Sequence, residues 1–288
     1  MMKWLNTFRW KNLLIIWISI IVVILPYLTS QLEYFFDFFL WGIICTCVAA
    51  IGNITNDLLD VKQDRENKKK NIFKDGENKK SAWAFIFILL MIAGIACAAS
   101  DFFSDFLVLS SLALVGLLLY NLVLKKAAII GNCIIALITA LIFVGIDTIC
   151  ISSVVYSNLG FKTSHIELLA GFAFITTLIR EIIKDAEDRK GDKYAGFNTI
   201  AKFMNDKWLS VLILILTIVL SGLFFVALRL RHFNYAPTYF IYNAWVLMTV
   251  LGAYYYMLVN TPFRYIRATR IIKVGMLGCL LIYLILSV

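Results

Sequence analysis

The chain has 288 residues, of which 61% are hydrophobic and 16% charged, with a net charge of +9. So large an apolar fraction exceeds what one soluble core can bury, which excludes an ordinary globular domain and makes lipid the destination of the excess. The positive balance is not a nucleic-acid footprint, because the basic residues lie in short segments between apolar runs, where they report membrane topology.

Apolar runs long enough to cross a hydrocarbon layer of about 30 Å as helices recur along the whole chain. They fall at 13–30, 38–56, 82–100, 105–123, 128–147, 166–183, 208–228, 237–258 and 270–287. The expectation is an all-α integral membrane protein with nine transmembrane helices in a single domain over 1–288. The first run follows Lys3, Arg9 and Lys11, as a secretory signal would. It is long, however, lacks a small-residue cleavage site before Gln31 and precedes further spans, so it reads as a retained helix. Pro26, Pro237 and Pro262 stand near span ends, which predicts mostly unbroken helices. The six cysteines lie almost entirely inside apolar runs without the paired spacing of a zinc site or a disulfide framework.

Lys and Arg concentrate at the amino terminus, at 57–80, at Lys125 and Lys126, at 180–207 and at 264–273, leaving Lys162, Arg229 and Arg231 for the other side. Short loops rich in Lys and Arg face the cytoplasm, which places the amino terminus inside and the carboxyl terminus outside.

The second span runs into Asn56-Asp57-Leu58-Leu59-Asp60-Val61-Lys62-Gln63-Asp64. If the helix continues, Asn56, Asp60 and Asp64 share one face. The sixth span runs into Arg180-Glu181-Ile182-Ile183-Lys184-Asp185-Ala186-Glu187-Asp188-Arg189-Lys190-Gly191-Asp192. There Glu181, Asp185, Asp188 and Asp192 share a face, unless Gly191 ends the helix first. The two charged stretches, 57–80 and 184–207, follow spans four helices apart, a faint sign of internal duplication.

Two acidic stripes thus emerge on one side of the membrane. Like charges one helical turn apart repel, and carboxylates at the mouth of an apolar bundle are costly to desolvate, so a cation should compensate them. Clustered carboxylate oxygens suit Mg²⁺, which binds through one or two carboxylates together with substrate phosphate oxygens. The plainer alternative is that the acids pair with neighbouring Lys and Arg in a solvated loop.

At these residues the sequence resembles the UbiA superfamily of intramembrane prenyltransferases. Asn56 to Asp64 matches its first signature, N-D-x-x-D-x-x-x-D, and Arg180 to Ala201 looks most like the branch that makes archaeal-type ether lipids. Tyr120-Asn121, Leu124-Lys125-Lys126 and Gly131-Asn132 are similar to the family's Tyr and Lys segment after the fourth helix. The resemblance implies a UbiA-like fold with a central cavity open to the cytoplasm. It implies one Mg²⁺ on Asn56, Asp60 and Asp64 and another on Asp188 and Asp192, with Asp185. Arg9, Asn12, Lys125 and Tyr120 would contact the diphosphate of a prenyl donor, and the acceptor would be a glycerol-phosphate-type lipid or, as in quinone-making relatives, an aromatic. Lys184 joins the candidate substrate-binding residues.

The chain departs from the family pattern after the first motif. Many relatives carry Arg-Pro pairs there, whereas Arg65-Glu66-Asn67-Lys68-Lys69-Lys70-Asn71 has no proline. Arg grips phosphate through a bidentate fork and Lys acts as a point charge, so Arg65 is the better phosphate candidate. Lys68 to Lys70 read equally as a solvated loop near anionic lipid. His165 and His232 read as plain surface residues, and the many aromatic rings as packing and interfacial belts. A transporter of cations or anionic substrates is the alternative from another class, but transporters place ionisable groups near the bilayer midplane on interrupted helices. Here the acids sit at span ends.

Overall fold

A computed structural model of the chain describes residues 2–25, 34–67, 71–73, 76–152, 163–230, 236–259 and 263–287. Lys68 to Lys70, Lys162, Arg231, His232, Pro26, Pro262 and the end of the first expected span lie outside the described residues.

The chain forms α1 (Met2–Thr7), α2 (Trp10–Ile24), α3 (Phe35–Leu59), α4 (Val61–Glu66), α5 (Lys79–Ala98) and α6 (Phe103–Leu122). It continues through α7 (Ala128–Ser152), α8 (Thr163–Tyr194), α9 (Ile200–Phe203), α10 (Asp206–Leu230), α11 (Ala236–Leu258) and α12 (Arg264–Ser287). No strand occurs among the described residues, only a bridge between Ala127 and Asn198. Helices α3, α5, α6, α7 and α12 are long and apolar enough to cross a membrane, and α2 is apolar but 15 residues long. The other expected spans fall on α8, α10 and α11.

Helices α2, α3, α6, α7, α8 and α12 pack in a ring, with α12 closing against both α8 and α2. Helix α5 lies outside α3, while α10 and α11 flank α8 and α12. Apolar helices in lipid gain nothing from burying one another's grease, so contacts depend on close fit and on polar groups satisfied across helices. Two tryptophans do both. The Trp41 indole on α3 donates to the Ile142 carbonyl of α7 at 2.9 Å, and a Cβ on Gly145 would come within 2.2 Å of that ring. On the far side, Trp245 of α11 donates to the Gly275 carbonyl of α12 at 2.9 Å, with Gly278 beneath it. Each glycine thus leaves room for an indole, and each indole bonds the carbonyl one turn earlier.

Gly145→Ala is therefore expected to destabilise the bundle by about 1–3 kcal/mol, the usual cost of overpacking. Thermal unfolding in detergent measures it; an unchanged Tm would show that Trp41 has other room.

At the site end, Trp4 of α1 and the Phe8 that follows it pack against Phe85 of α5, ring centroids 4.7 and 5.7 Å away, while Trp4 also meets the buried Phe73. The Asn53 side chain of α3 donates to the Phe8 carbonyl at 3.1 Å. This small aromatic core fixes where α1 ends and α2 begins. Arg9, at that junction, takes left-handed backbone angles of φ 53° and ψ 51°, a conformation that costs a non-glycine residue energy and needs surrounding structure to hold it.

Candidate active site

Helix α3 ends at Leu59, and Asp60 stands between it and α4 with φ −88° and ψ 8°. The helix does not run straight through the motif, yet its register survives. Asp60 N–H donates to the Asn56 carbonyl at 2.9 Å and Asp64 N–H to the Asp60 carbonyl at 2.8 Å. Asn56, Asp60 and Asp64 consequently face one chamber. The Asn71 amide steadies Asp64 at 2.8 Å and also donates to the Asp57 carbonyl at 2.7 Å.

Helix α8 continues past Gly191 to Tyr194, so Asp185, Asp188 and Asp192 remain on one helix and line the same chamber. Gly191 is needed for proximity rather than for a turn, because a Cβ there would meet the Asn67 side-chain amide. That amide accepts from Gly191 N–H at 2.9 Å and donates to Asp188 at 3.4 Å. The Gln63 amide donates to Asp192, a direct link from α4 to α8. The two acidic stretches are thus stitched together by neutral amides, which separate carboxylates that would otherwise repel.

Cations complete the chamber. Lys125, on the turn Leu124–Lys126, ion-pairs with Asp60 and donates to Asn56 Oδ1 at 3.3 Å. Its turn is held close to α7 by Gly131, where a Cβ would lie 2.6 Å from the Leu124 carbonyl oxygen. Arg9 approaches Asp57 at 3.4 Å. Glu181, buried, takes both Arg180 and, at 3.2 Å, Lys184. The Asn132 side chain donates to Asp185 at 2.9 Å. Burial nonetheless pushes the Asp185 carboxyl up to about 7, with Asp192 and Glu181 adding to the rise and Asn132 opposing it.

The polar chamber, about 450 Å³, is lined by Arg9, Asn12, Asn56, Asp60, Asp64, Tyr120, Lys125, Lys184, Asp185, Asp188 and Asp192 among others. An apolar chamber of about 250 Å³ shares Arg9, Asn12, Asn56, Tyr120, Arg180, Lys184 and Lys273 with it. From there it runs between α2, α3, α6, α7, α8 and α12 to Trp41, Phe143 and Leu280. Of the residues singled out from sequence, Arg65 is exposed and is not among the lining residues, and the side chains of His165 and His232 lie outside the described ones. Gln63, Asn67, Asn71, Asn132, Arg180 and Lys273 contribute without having been assigned roles from sequence. Lys273 had a signal: it lies inside the predicted 270–287 span, where an ionisable group is costly and marks a site by default.

Among the described residues, no three His, Cys, Asp or Glu side chains gather closely enough to hold a metal by themselves. The donor set still fits Mg²⁺, since carboxylate and amide oxygens are hard ligands and this ion commonly completes its shell with water and phosphate. Lys125 meanwhile occupies Asn56 Oδ1 and Asp60. An ammonium and a divalent cation are alternative neutralisers of that pair.

The chain is similar to the digeranylgeranylglyceryl phosphate synthase of Saccharolobus solfataricus, 30% identical over 200 residues that cover 66% of each chain. It is 32% identical over 191 residues to the enzyme so named from Methanosphaera stadtmanae, covering 64% of this chain and 65% of that one. The chain thus spans just under two thirds of the length of these relatives. Against the Sulfolobus acidocaldarius synthase the match is 27% over 253 residues, 85% of this chain and 84% of the relative. A solved structure presented as insight into the biosynthesis of digeranylgeranylglyceryl phosphate synthase in membranes shares the fold, with a TM-score of 0.66 at 23% identity, covering 99% of this chain and 97% of that one. The model of the UbiA prenyltransferase family matches residues 13–262, a stretch that holds both acidic motifs and every helix of the ring except α12. An integral membrane bundle with that match belongs to the UbiA prenyltransferase family.

Proposed function

We propose that this chain transfers a geranylgeranyl group from its diphosphate to a prenylated glyceryl phosphate, with Mg²⁺, at the cytoplasmic face of a membrane. The observation that carries the reading is the continuity of the two chambers, one able to match a diphosphate and the other a hydrocarbon tail. Asn56 and Trp41 both line the apolar chamber on α3, which at about 1.5 Å per residue makes it about 22 Å long. With carbon–carbon bonds of about 1.5 Å, an extended chain of four isoprene units is roughly 20 Å. The names of the similar archaeal proteins favour the glyceryl phosphate acceptor.

Asn56, Asp60 and Asp64 would hold one Mg²⁺ and Asp185, Asp188 and Asp192 a second. Bound there, the metal supplies positive charge to the leaving diphosphate. Lys125, Arg9 and Lys184 add cationic groups fixed before the reaction, which stabilises charge at no reorganisation cost. Tyr120, at the junction of the chambers, would border the allylic carbon, and Asn12 the diphosphate beside it. The apolar walls exclude water, so the carbocation formed when the C–O bond ionises meets the acceptor hydroxyl rather than solvent, and the hydroxyl proton leaves to the released diphosphate.

Purified chain given a panel of prenyl diphosphates with glyceryl phosphate and aromatic acceptors, with products read by mass spectrometry, tests the reading. It expects the digeranylgeranyl glyceryl ether phosphate as the main product. Transfer only to the aromatic acceptor would replace it, and Mg²⁺ flux in proteoliposomes without any transfer would favour a transporter.

A narrower result concerns the tail. Ala173 lines the deep half of the apolar chamber on α8. Ala173→Phe should lower kcat/KM for geranylgeranyl diphosphate about tenfold or more, on the scale of hydrophobic-pocket discrimination. Geranyl diphosphate should lose little. Competition between the two donors measures it, and an unchanged ratio would place the tail elsewhere.

A further inference from the structure

Among the described residues, six cations line the polar chamber: Arg9, Lys11, Lys125, Arg180, Lys184 and Lys273. Four of them are matched by acids, Arg9 by Asp57, Lys125 by Asp60, and Arg180 and Lys184 together by Glu181. Lys273 differs. Its ammonium donates at 3.0 Å to Asn12 Oδ1, a neutral amide across the α12–α2 contact. The charged groups around it include the cations Arg180, Lys11 and Arg9, and Glu181, which is already engaged twice. Lysine on a membrane helix, among three like charges and bonded to a neutral partner, is costly unless an anion joins it.

The position narrows which anion. Lys273 and Asn12 line both chambers and so stand at their junction, on the α2 and α12 wall. The carboxylates that would gather metal and donor diphosphate belong to α3, α4 and α8. Two phosphate groups repel and need separate cationic supports, one at each side of the reacting carbon. Lys273, with Lys11 beside it, is the support left over once the donor's side is supplied. With its Oδ1 engaged by Lys273, the Asn12 amide keeps two N–H donors for an anion.

We infer that Lys273, with Asn12 and the nearby Lys11, binds the phosphate of the acceptor lipid and so selects a phosphorylated acceptor over its neutral alcohol. This rests on the proposed prenyl transfer to a glyceryl phosphate and moves Asn12 from the donor's diphosphate to the acceptor. Lys273 acts by binding and takes no part in bond breaking. Its helix carries no acid of its own facing the chamber among the described residues, which leaves that wall positive.

The test uses full-length chain in detergent and two measurements on wild type, Lys273→Met and Lys273→Arg. The first is transfer from geranylgeranyl diphosphate to geranylgeranylglyceryl phosphate and to its dephosphorylated alcohol. The second is equilibrium binding of the same two lipids without donor. Lys273→Met should raise the acceptor KM tenfold or more, move the donor KM less than twofold, and collapse the preference for the phosphorylated lipid in both measurements. Lys273→Arg should recover most of it. If wild type transfers to the phosphorylated lipid and Lys273→Met keeps the acceptor KM, the inference falls and the function stands. If wild type binds that lipid through Lys273 but transfers nothing, the inference stands and the function falls. If wild type neither binds nor uses it, both fall. A donor KM that rises as much as the acceptor KM would assign Lys273 to the diphosphate instead and overturn the inference.

Discussion

Asp60→Asn is expected to lower prenyl transfer about a thousandfold, equivalent to roughly 4 kcal/mol of transition-state stabilisation. The substitution keeps the shape of the side chain and removes one negative charge. Asp60 sits where α3 gives way to α4, its backbone holds the register between Asn56 and Asp64, and its carboxylate faces the chamber beside Lys125. An amide can still accept from Lys125 but leaves its ammonium without a counter-charge, so the Tm should fall, by less than on losing Lys125 itself. What it loses is the oxygen charge that would attract Mg²⁺ to this side of the diphosphate. Donor turnover measured across a Mg²⁺ titration separates these effects. A variant that regains full rate at high Mg²⁺ would show weakened metal binding alone, and one with full activity throughout would remove Asp60 from the site.

Lys125→Met is expected to be the second most damaging change, and for two reasons that can be told apart. Removing one partner of a buried ion pair leaves Asp60, 8% exposed, as an uncompensated charge, which typically costs about 3–5 kcal/mol. Removing the cation also withdraws a charge-assisted contact from the leaving diphosphate, worth about a hundredfold in rate. The double variant Asp60→Asn with Lys125→Met should regain most of the lost Tm and none of the activity. Because a divalent ion can neutralise Asp60 in place of the ammonium, Mg²⁺ should raise the Tm of Lys125→Met more than that of wild type. Equal Tm shifts would mean that Lys125 and the metal do not share the Asp60 carboxylate.

The chemistry-bearing residues were legible because they violate the surrounding pattern. Carboxylates at Asp60, Asp64, Asp188 and Asp192 close to apolar spans stand out against lipid-compatible sequence, and helical spacing puts each set on a face. Helix existence was legible from length and hydropathy. What was hidden is orientation. A membrane helix is apolar all round, so periodicity does not say that Ala173 faces the cavity while Phe87, 65% exposed, faces outward. The amides of Gln63, Asn67 and Asn71 were hidden for another reason: neutral side chains leave no charge pattern, and the partners of Gln63 and Asn67 lie far along the chain, on α8. Lys273 was read as a topology signal because three arginines precede it in a basic run. The structure makes that run part of α12, beginning at Arg264.

In the proposed reaction α3–α4 and α8 grip one diphosphate from two sides. A structure of the chain with an unreactive prenyl thiodiphosphate and Mn²⁺ in place of Mg²⁺, with the metal located by anomalous scattering, tests it directly. Metal peaks are expected to bridge the thiodiphosphate to Asp60 or Asp64 on one side and to Asp188 or Asp192 on the other. Metal on neither set, or a diphosphate bound away from the chamber they share, would contradict it.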